Sequence, residues 1–198
     1  MARAALRILD DDGLPELTMR RLAAALDLQP SALYWHFPNK QSLLADLADR
    51  IVAQAAPHRV GKDASHTRGE AAALRNALLA YRDGAEVVSS TLALGLGSTT
   101  ARDRLRAAII ADGYDAELAG RAAIVLVHFV IGHVSHEQQR MQYDSLGVVV
   151  PAASLSPQND RDTADEFAFG VDLFVGGLER LRPDASNVPG ESASPLAG

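Results

Sequence analysis

Two stretches of this chain carry residues that could do chemistry. The first is "HFVIGHVSHEQQR", residues 128–140, which holds His128, His133 and His136 beside Glu137. Imidazoles next to a carboxylate can ligate a metal or exchange protons near neutral pH. Helical spacing puts His133 and His136 on one face, with His128 about 80° from His136. A zinc-protease pattern needs a second histidine four residues after the first, and Arg140 stands there instead. A di-metal bundle needs a second carboxylate–histidine pair at matching spacing, and the sequence offers none. Histidines that hydrogen-bond in a pocket or an interface are the favoured reading, so no metal ligand is assigned and no cofactor is expected. A helical-bundle enzyme using His128, His133, His136 and Glu137 stays as the alternative.

The second stretch is "PSALYWHFPNK", residues 30–40, which places Tyr34, Trp35 and Phe37 within four positions, flanked by His36 and Lys40. The chain has only one Trp, four Tyr and five Phe in all, so this cluster has a purpose. Either the three rings plug a core, or they lie where a helix meets something large and flat. Net charge is −6, which argues against a binder of nucleic acid that is basic throughout. Residues 18–40, however, hold Arg20, Arg21 and Lys40 against Asp27 alone. A local basic patch on an acidic body is enough for a few phosphate contacts.

The elements that would position these groups are helical nearly throughout. Residues 2–10 read as a short helix ended by Asp11, Asp12 and Gly13. Thr18 suits an N-cap for the next helix, whose Leu22, Ala23 and Leu26 share one face. Asp27-Leu28-Gln29 interrupts, and Pro30 restarts a helix at its first position, where the missing N–H costs nothing. Leu33 and Phe37 form an i, i+4 apolar pair before Pro38 and Asn39 stop the helix. Two short helices joined by three residues make a helix-turn-helix. In that motif the second helix enters the major groove, so Pro30, Ser31 and Ala32 would face base edges, with Tyr34 and His36 on the flanks.

Further helices are expected at 40–56, 67–81, 83–92, 98–112, 116–143 and 162–182. Residues 144–161, with Pro151 and Pro157, read as a loop, and the Pro/Ser/Gly/Ala-rich tail as disordered. The fold class is all-α: a helix-turn-helix domain over 1–45, a helical effector-binding and dimerisation domain over 46–182, and a tail over 183–198. No stretch reaches the run of apolar residues that a membrane span needs, so a soluble, cytoplasmic protein with no membrane partner is expected. The lack of cysteine excludes disulfides.

The segment "LTMRRLAAALDLQPSALYWHFPNKQSLLADLAD" resembles the DNA-binding region of the TetR family of one-component repressors. The resemblance rests on Thr18, Arg20, Leu22-Ala23, the run Leu33-Tyr34-Trp35-His36-Phe37, and Lys40. It implies that Thr18, Tyr34 and Lys40 hold phosphates, while Arg20, Ser31, Ala32 and His36 lie nearest the bases of a double-stranded, palindromic operator. Family members usually carry further, often basic, residues ahead of "AALRILDDDG", which leaves either a truncated first helix or a misassigned start.

The likeness continues into "YRDGAEVVSSTLALG" (81–95), "HFVIGHVSHEQQ" (128–139) and "FAFGVDLFVGGLERL" (167–181), which are similar to the tetracycline-repressor subgroup. That subgroup implies an all-helical homodimer that binds a small effector and releases DNA. Its metal-chelated drug is held by a histidine and a glutamate whose places here are Val88 and His136, while the pocket threonine remains as Thr91. Effector binding is therefore expected to be independent of magnesium. Val88, Ser89, Thr91, Leu92, His128, Phe129, His133 and His136 are the pocket candidates. Sparse polar points among apolar residues suit a small, largely hydrophobic ligand. The two helices at 116–143 and 162–182 would form the dimer's four-helix interface, with loop 144–161 covering the pocket entrance.

Overall fold

A computed structural model describes residues 1–56, 65–96, 99–145 and 160–182. Among them are nine α-helices and no strand: α1 (Ala2–Asp12), α2 (Met19–Ala25), α3 (Pro30–Tyr34), α4 (Lys40–Ala53), α5 (His66–Leu79), α6 (Gly84–Ala93), α7 (Thr100–Ala111), α8 (Ala116–Ser145) and α9 (Asp160–Arg180). Every helix expected from periodicity is present, with ends shifted by a few residues. The expected loop 144–161 lies mostly, and the tail 183–198 wholly, outside the described residues.

Local chemistry explains where the helices begin. The Thr18 hydroxyl accepts the Arg21 N–H at 3.1 Å, capping α2. Asp27 takes up a left-handed backbone at φ 54°, a conformation Asp tolerates better than most residues, and this makes the sharp turn into α3. Asn39 and Ser42 form a reciprocal capping box at the start of α4. The start of α5 is tied to α7: Asp112 accepts from the Ser65 hydroxyl at 2.7 Å and from the backbone N–H groups of His66 and Thr67 at 2.8 and 2.9 Å. Burial opposes ionisation of Asp112, but the hydrogen bonds from Thr67, Ser65 and His66 outweigh it and hold the carboxyl well below the usual carboxylate range.

The core runs without a break through both halves. Leu22, Leu33, Leu43, Leu47 and Ile51 are fully buried, as are Leu74, Leu78, Leu105, Ile109 and Leu126. Each such side chain contributes about 1.5–3 kcal/mol relative to exposure. Helix α4 is the shared beam, packing on α1 as well as on α5, α6 and α7. A division at 45/46 falls inside it.

Helix α8 shows a difference from the sequence reading. Over Ala116–Tyr143 it is long and apolar enough to cross a membrane by length and composition, with mean hydropathy 1.6. Nearly half of that window, 44%, is buried inside the protein, and Ala123, Leu126, Val130 and Val134 lie in the common core. It is a central core helix. Ile124 and Val125 on its other side are exposed.

Candidate nucleic-acid interface and effector groove

Helix α3 divides its residues between anchor and surface. Leu33 is fully buried and Phe37 half-buried against the core. Tyr34 is 51% exposed and Trp35 89% exposed. The aromatic cluster is thus not a core plug; two of its three rings project into solvent. Pro30, Ser31, His36 and Arg20 are also exposed, and Ala32 is half-buried. The side chains of Arg20, Tyr34 and His36 make no hydrogen bond or ion pair among the described residues.

The basic patch is thinner than its composition suggests. Arg21 is held by Asp12 and Glu16, each at 2.6 Å, so it locks α2 to the end of α1. Lys40 Nζ donates to the Leu14 carbonyl at 3.4 Å, a contact weak enough to exchange for a phosphate. Sequence reasoning passed over Gln29, the exposed N-cap of α3, whose side chain makes no capping bond.

In the regulatory half the eight pocket candidates do not converge on one cavity. Ser89, Leu92 and His128 line a groove between α6 and α8 together with Ala93, Ile131, Gly132 and Ser135. Val88 and Thr91 are buried in the protein, and the Thr91 hydroxyl donates to the Val88 carbonyl one turn back at 2.9 Å. Phe129 and His133 face α9. Phe129 stacks on Phe167 at 5.7 Å, and the His133 ring meets Phe167 edge-on at 5.3 Å. His133 Nε2 lies 3.1 Å from the Thr163 carbonyl, which requires that nitrogen to carry the proton. His136 is exposed.

Glu137 turns inward and takes both arms of Arg75, at 2.5 and 3.1 Å. The Arg75 guanidinium in turn lies 5.4 Å above the Phe167 ring. Of the groups that could have formed a catalytic constellation, His133 and Glu137 are held by separate neighbours, while His128 and His136 are exposed. Among the described residues no group of three or more His, Asp or Glu side chains is placed to hold a metal.

A junction that the sequence reading did not identify joins the two halves. Asp83, at a left-handed φ of 56°, is the N-cap residue of α6. Its Oδ2 accepts the Leu14 N–H at 2.8 Å, across 69 residues, and its Oδ1 accepts from the Gln142 side chain. Gln138, one turn earlier on α8, donates to the carbonyls of Leu78 and Tyr81 at 3.1 and 2.8 Å and accepts the Ala85 N–H at 3.2 Å. Arg82 reaches Asp10 and the Asp11 carbonyl. Gly84 must be glycine, since a Cβ there would run into the Leu78 carbonyl. Helix α8 therefore grips the α5–α6 turn, and that turn grips the α1–α2 loop. The only sequence signal was the turn "RDG" at 82–84, with amides four apart at 138 and 142.

Comparison with known proteins points the same way. Residues 2–47 match the family model described as bacterial regulatory proteins, tetR family, and residues 61–182 match the tetracyclin repressor-like C-terminal domain. The chain is 37% identical over 201 residues to the class A tetracycline repressor protein from transposon 1721 of Escherichia coli, covering 95% of this chain and 93% of that one. It is similar to the crystal structure of Mycobacterium smegmatis BioQ, with a TM-score of 0.74 and 38% identity over 90% of this chain and 95% of that one. BioQ with its double-stranded DNA operator gives 0.70 and 37%, covering 89% and 94%. A TetR variant from Acinetobacter baumannii AYE in complex with minocycline gives 0.69 and 30%, covering 91% and 95%.

Proposed function

The chain belongs to the tetR family of bacterial regulatory proteins, and on that premise we propose how its ligand-responsive repression of transcription is carried out by particular residues. The protein is a DNA-binding repressor that works as a homodimer on operator DNA and answers to a small-molecule effector. The observation that supports the assignment of roles most directly is the recognition surface. A short helix is pinned by buried Leu33, while Arg20, Ser31, Tyr34, Trp35 and His36 stand exposed around it.

On this reading Pro30, Ser31, Ala32 and His36 lie at base edges, with Arg20 presenting its bidentate fork to guanine. Thr18, Tyr34 and Lys40 take phosphates and set the register of the dimer on the duplex. Two recognition helices one turn of DNA apart, about 34 Å, read a palindrome. It works in the cytoplasm, where its operator lies.

Dimerisation uses α8 and α9. Phe169, Leu173, Gly177 and Leu181 recur every fourth residue and all are exposed in the protomer, as are Ile124 and Val125 on α8. A stripe of that kind is the surface a second copy covers. The effector enters between α6 and α8, and its occupancy is passed to the DNA-binding residues through α4 and the Asp83 junction. A coupling free energy of about 1–3 kcal/mol suffices to release DNA.

The test is a mobility-shift assay with the DNA upstream of this gene and of its divergent neighbour, with and without metabolite extract. A retarded band that the extract abolishes supports the reading. A chain that retards no such DNA at low salt contradicts it.

A further inference from the structure

The groove at Leu92 and His128 is one end of a longer trough. Ser89, Ala93 and Ser135 line both that groove, of about 280 Å³, and an adjoining one of about 580 Å³. The two ends differ in chemistry. The smaller is walled by Leu92, Ile131 and Gly132, with His128 beside them. The larger is walled by Asp83, Glu86, Ser90, Gln139, Gln142 and Tyr143, and no lysine or arginine lines it. Glu86 is exposed and has no partner among the described residues. Arg82 lies beside Asp83 on its far side, which leaves Glu86 as the uncompensated carboxylate. With the hydroxyls and amides around it, it makes a negative, hydrogen-bond-rich wall that favours a cation over an anion or a neutral hydrocarbon. The combined space is that of a drug-sized or smaller molecule.

We infer that the effector is an amphiphilic amine, whose apolar body lies on Leu92 and Ile131 and whose ammonium group points to Glu86 and Asp83. This deepens the ligand-responsive reading and rests on it. It differs from the expectation of a largely hydrophobic ligand in giving that ligand one charged end.

The same geometry says how occupancy would reach DNA. Asp83 and Gln142 belong to the wall of the trough, and they are also the residues of the junction. The Asp83 carboxylate already accepts from Gln142 on one oxygen and from the Leu14 N–H at 2.8 Å on the other. An ammonium donating to this carboxylate draws its charge toward the trough and weakens its hold on both. Loss of the Leu14 bond frees the α1–α2 loop, to which Lys40 is also tethered through the Leu14 carbonyl. The ligand thus acts on the link itself rather than through a distant relay.

The experiment compares phenethylamine with its uncharged isostere, phenethyl alcohol, by titration calorimetry on the full chain at low salt. The amine is expected to bind about tenfold more tightly, the value of one hydrogen bond to a charged group. Glu86→Gln should lower affinity for the amine more than affinity for the alcohol. The amine, and not the alcohol, should also release the operator. Equal affinities, no binding of either compound, or a preference that Glu86→Gln leaves undiminished would overturn the proposal. If the protein nonetheless holds operator DNA and a metabolite extract releases it, repression stands and only the ligand class is wrong. If the protein holds no operator even without amine, repression itself fails.

Discussion

Around α3, Arg20, Tyr34 and His36 face solvent with no protein partner, whereas in the regulatory half Thr91, His133 and Glu137 are each committed to a neighbour. Both regions are rich in groups that a sequence motif marks as functional. The difference lies in what those groups already hold. A polar side chain without an internal partner gives up only water when DNA arrives, so its whole interaction is available for recognition. One that already bonds a buried neighbour must break that bond first, and its removal costs stability before it costs binding. The recognition surface is thus specified residue by residue, while the effector trough is specified by the space between two helices. Asp83 is bonded to both, through the Leu14 N–H on one side and Gln142 on the other.

Substitutions can break or sharpen this contrast, and the largest effect should come from Gly177→Leu. Gly177 is central in the exposed α9 stripe, and a Cβ there meets nothing within the protomer. The variant should fold normally yet run as a monomer in light scattering and lose palindrome binding altogether. A variant that stays dimeric and binds normally would remove α9 from the interface. Gly170, seven residues earlier, is a useful contrast, because a Cβ there would strike the Phe129 ring of the same chain.

Next is the Arg75–Glu137 pair, whose side chains are only 13% and 12% exposed. Arg75→Met should destabilise the fold toward the lower end of roughly 3–5 kcal/mol, because a carboxylate is left without its cation. Adding Glu137→Leu should recover most of that loss in urea denaturation. If Arg75→Met left stability intact but abolished the effector response, the pair would belong to the ligand site.

Effects on the DNA-binding side should be smaller and of two kinds. Arg20→Ala is expected to cost about 1–3 kcal/mol at one operator position and relax the preference there. Tyr34→Ala and Lys40→Ala should weaken binding to all duplexes alike, each lowering the salt slope by about one unit. Roles would have to be exchanged if Tyr34→Ala altered the preference profile and Arg20→Ala did not.

The smallest effect concerns Asp112. Its carboxyl titrates below the usual range in the folded protein, so its charged form stabilises the fold. That contribution is fully present above the unfolded value of about 4 and is lost as pH falls below it. The stability difference between wild type and Asp112→Asn should therefore shrink as pH falls beneath about 4. A difference that grew beneath about pH 4 would reverse the sign argued here.

Much of this was legible in the sequence because the signals are local. Thr18 and Asn39 mark helix starts through bonds made within three residues, Pro30 does so through its fixed φ, and the Leu33/Phe37 pair separated buried from exposed aromatics. What the sequence concealed depends on contacts distant along the chain. Arg21 counted as a free cation until Asp12 and Glu16 were seen to hold it. The Asp83 junction joins residues 59 and 69 positions apart and needs a left-handed aspartate, which no periodicity reveals. For the histidines, spacing gave the face of α8 but not the neighbour: His128 found the trough, His133 found α9, and His136 found solvent.

The central claim is that a dimer reads a palindrome through the exposed residues around α3, and selection from a pool of random duplexes tests it directly. Trp35, the sole tryptophan and 89% exposed, supplies an intrinsic fluorescence signal to titrate the selected duplex. The expected result is an enriched inverted repeat with half-sites about one helical turn apart. Two protomers should bind each duplex, and the half-site signal should weaken in Arg20→Ala. Enrichment of no motif, or of a single asymmetric site saturated by one protomer, would contradict it.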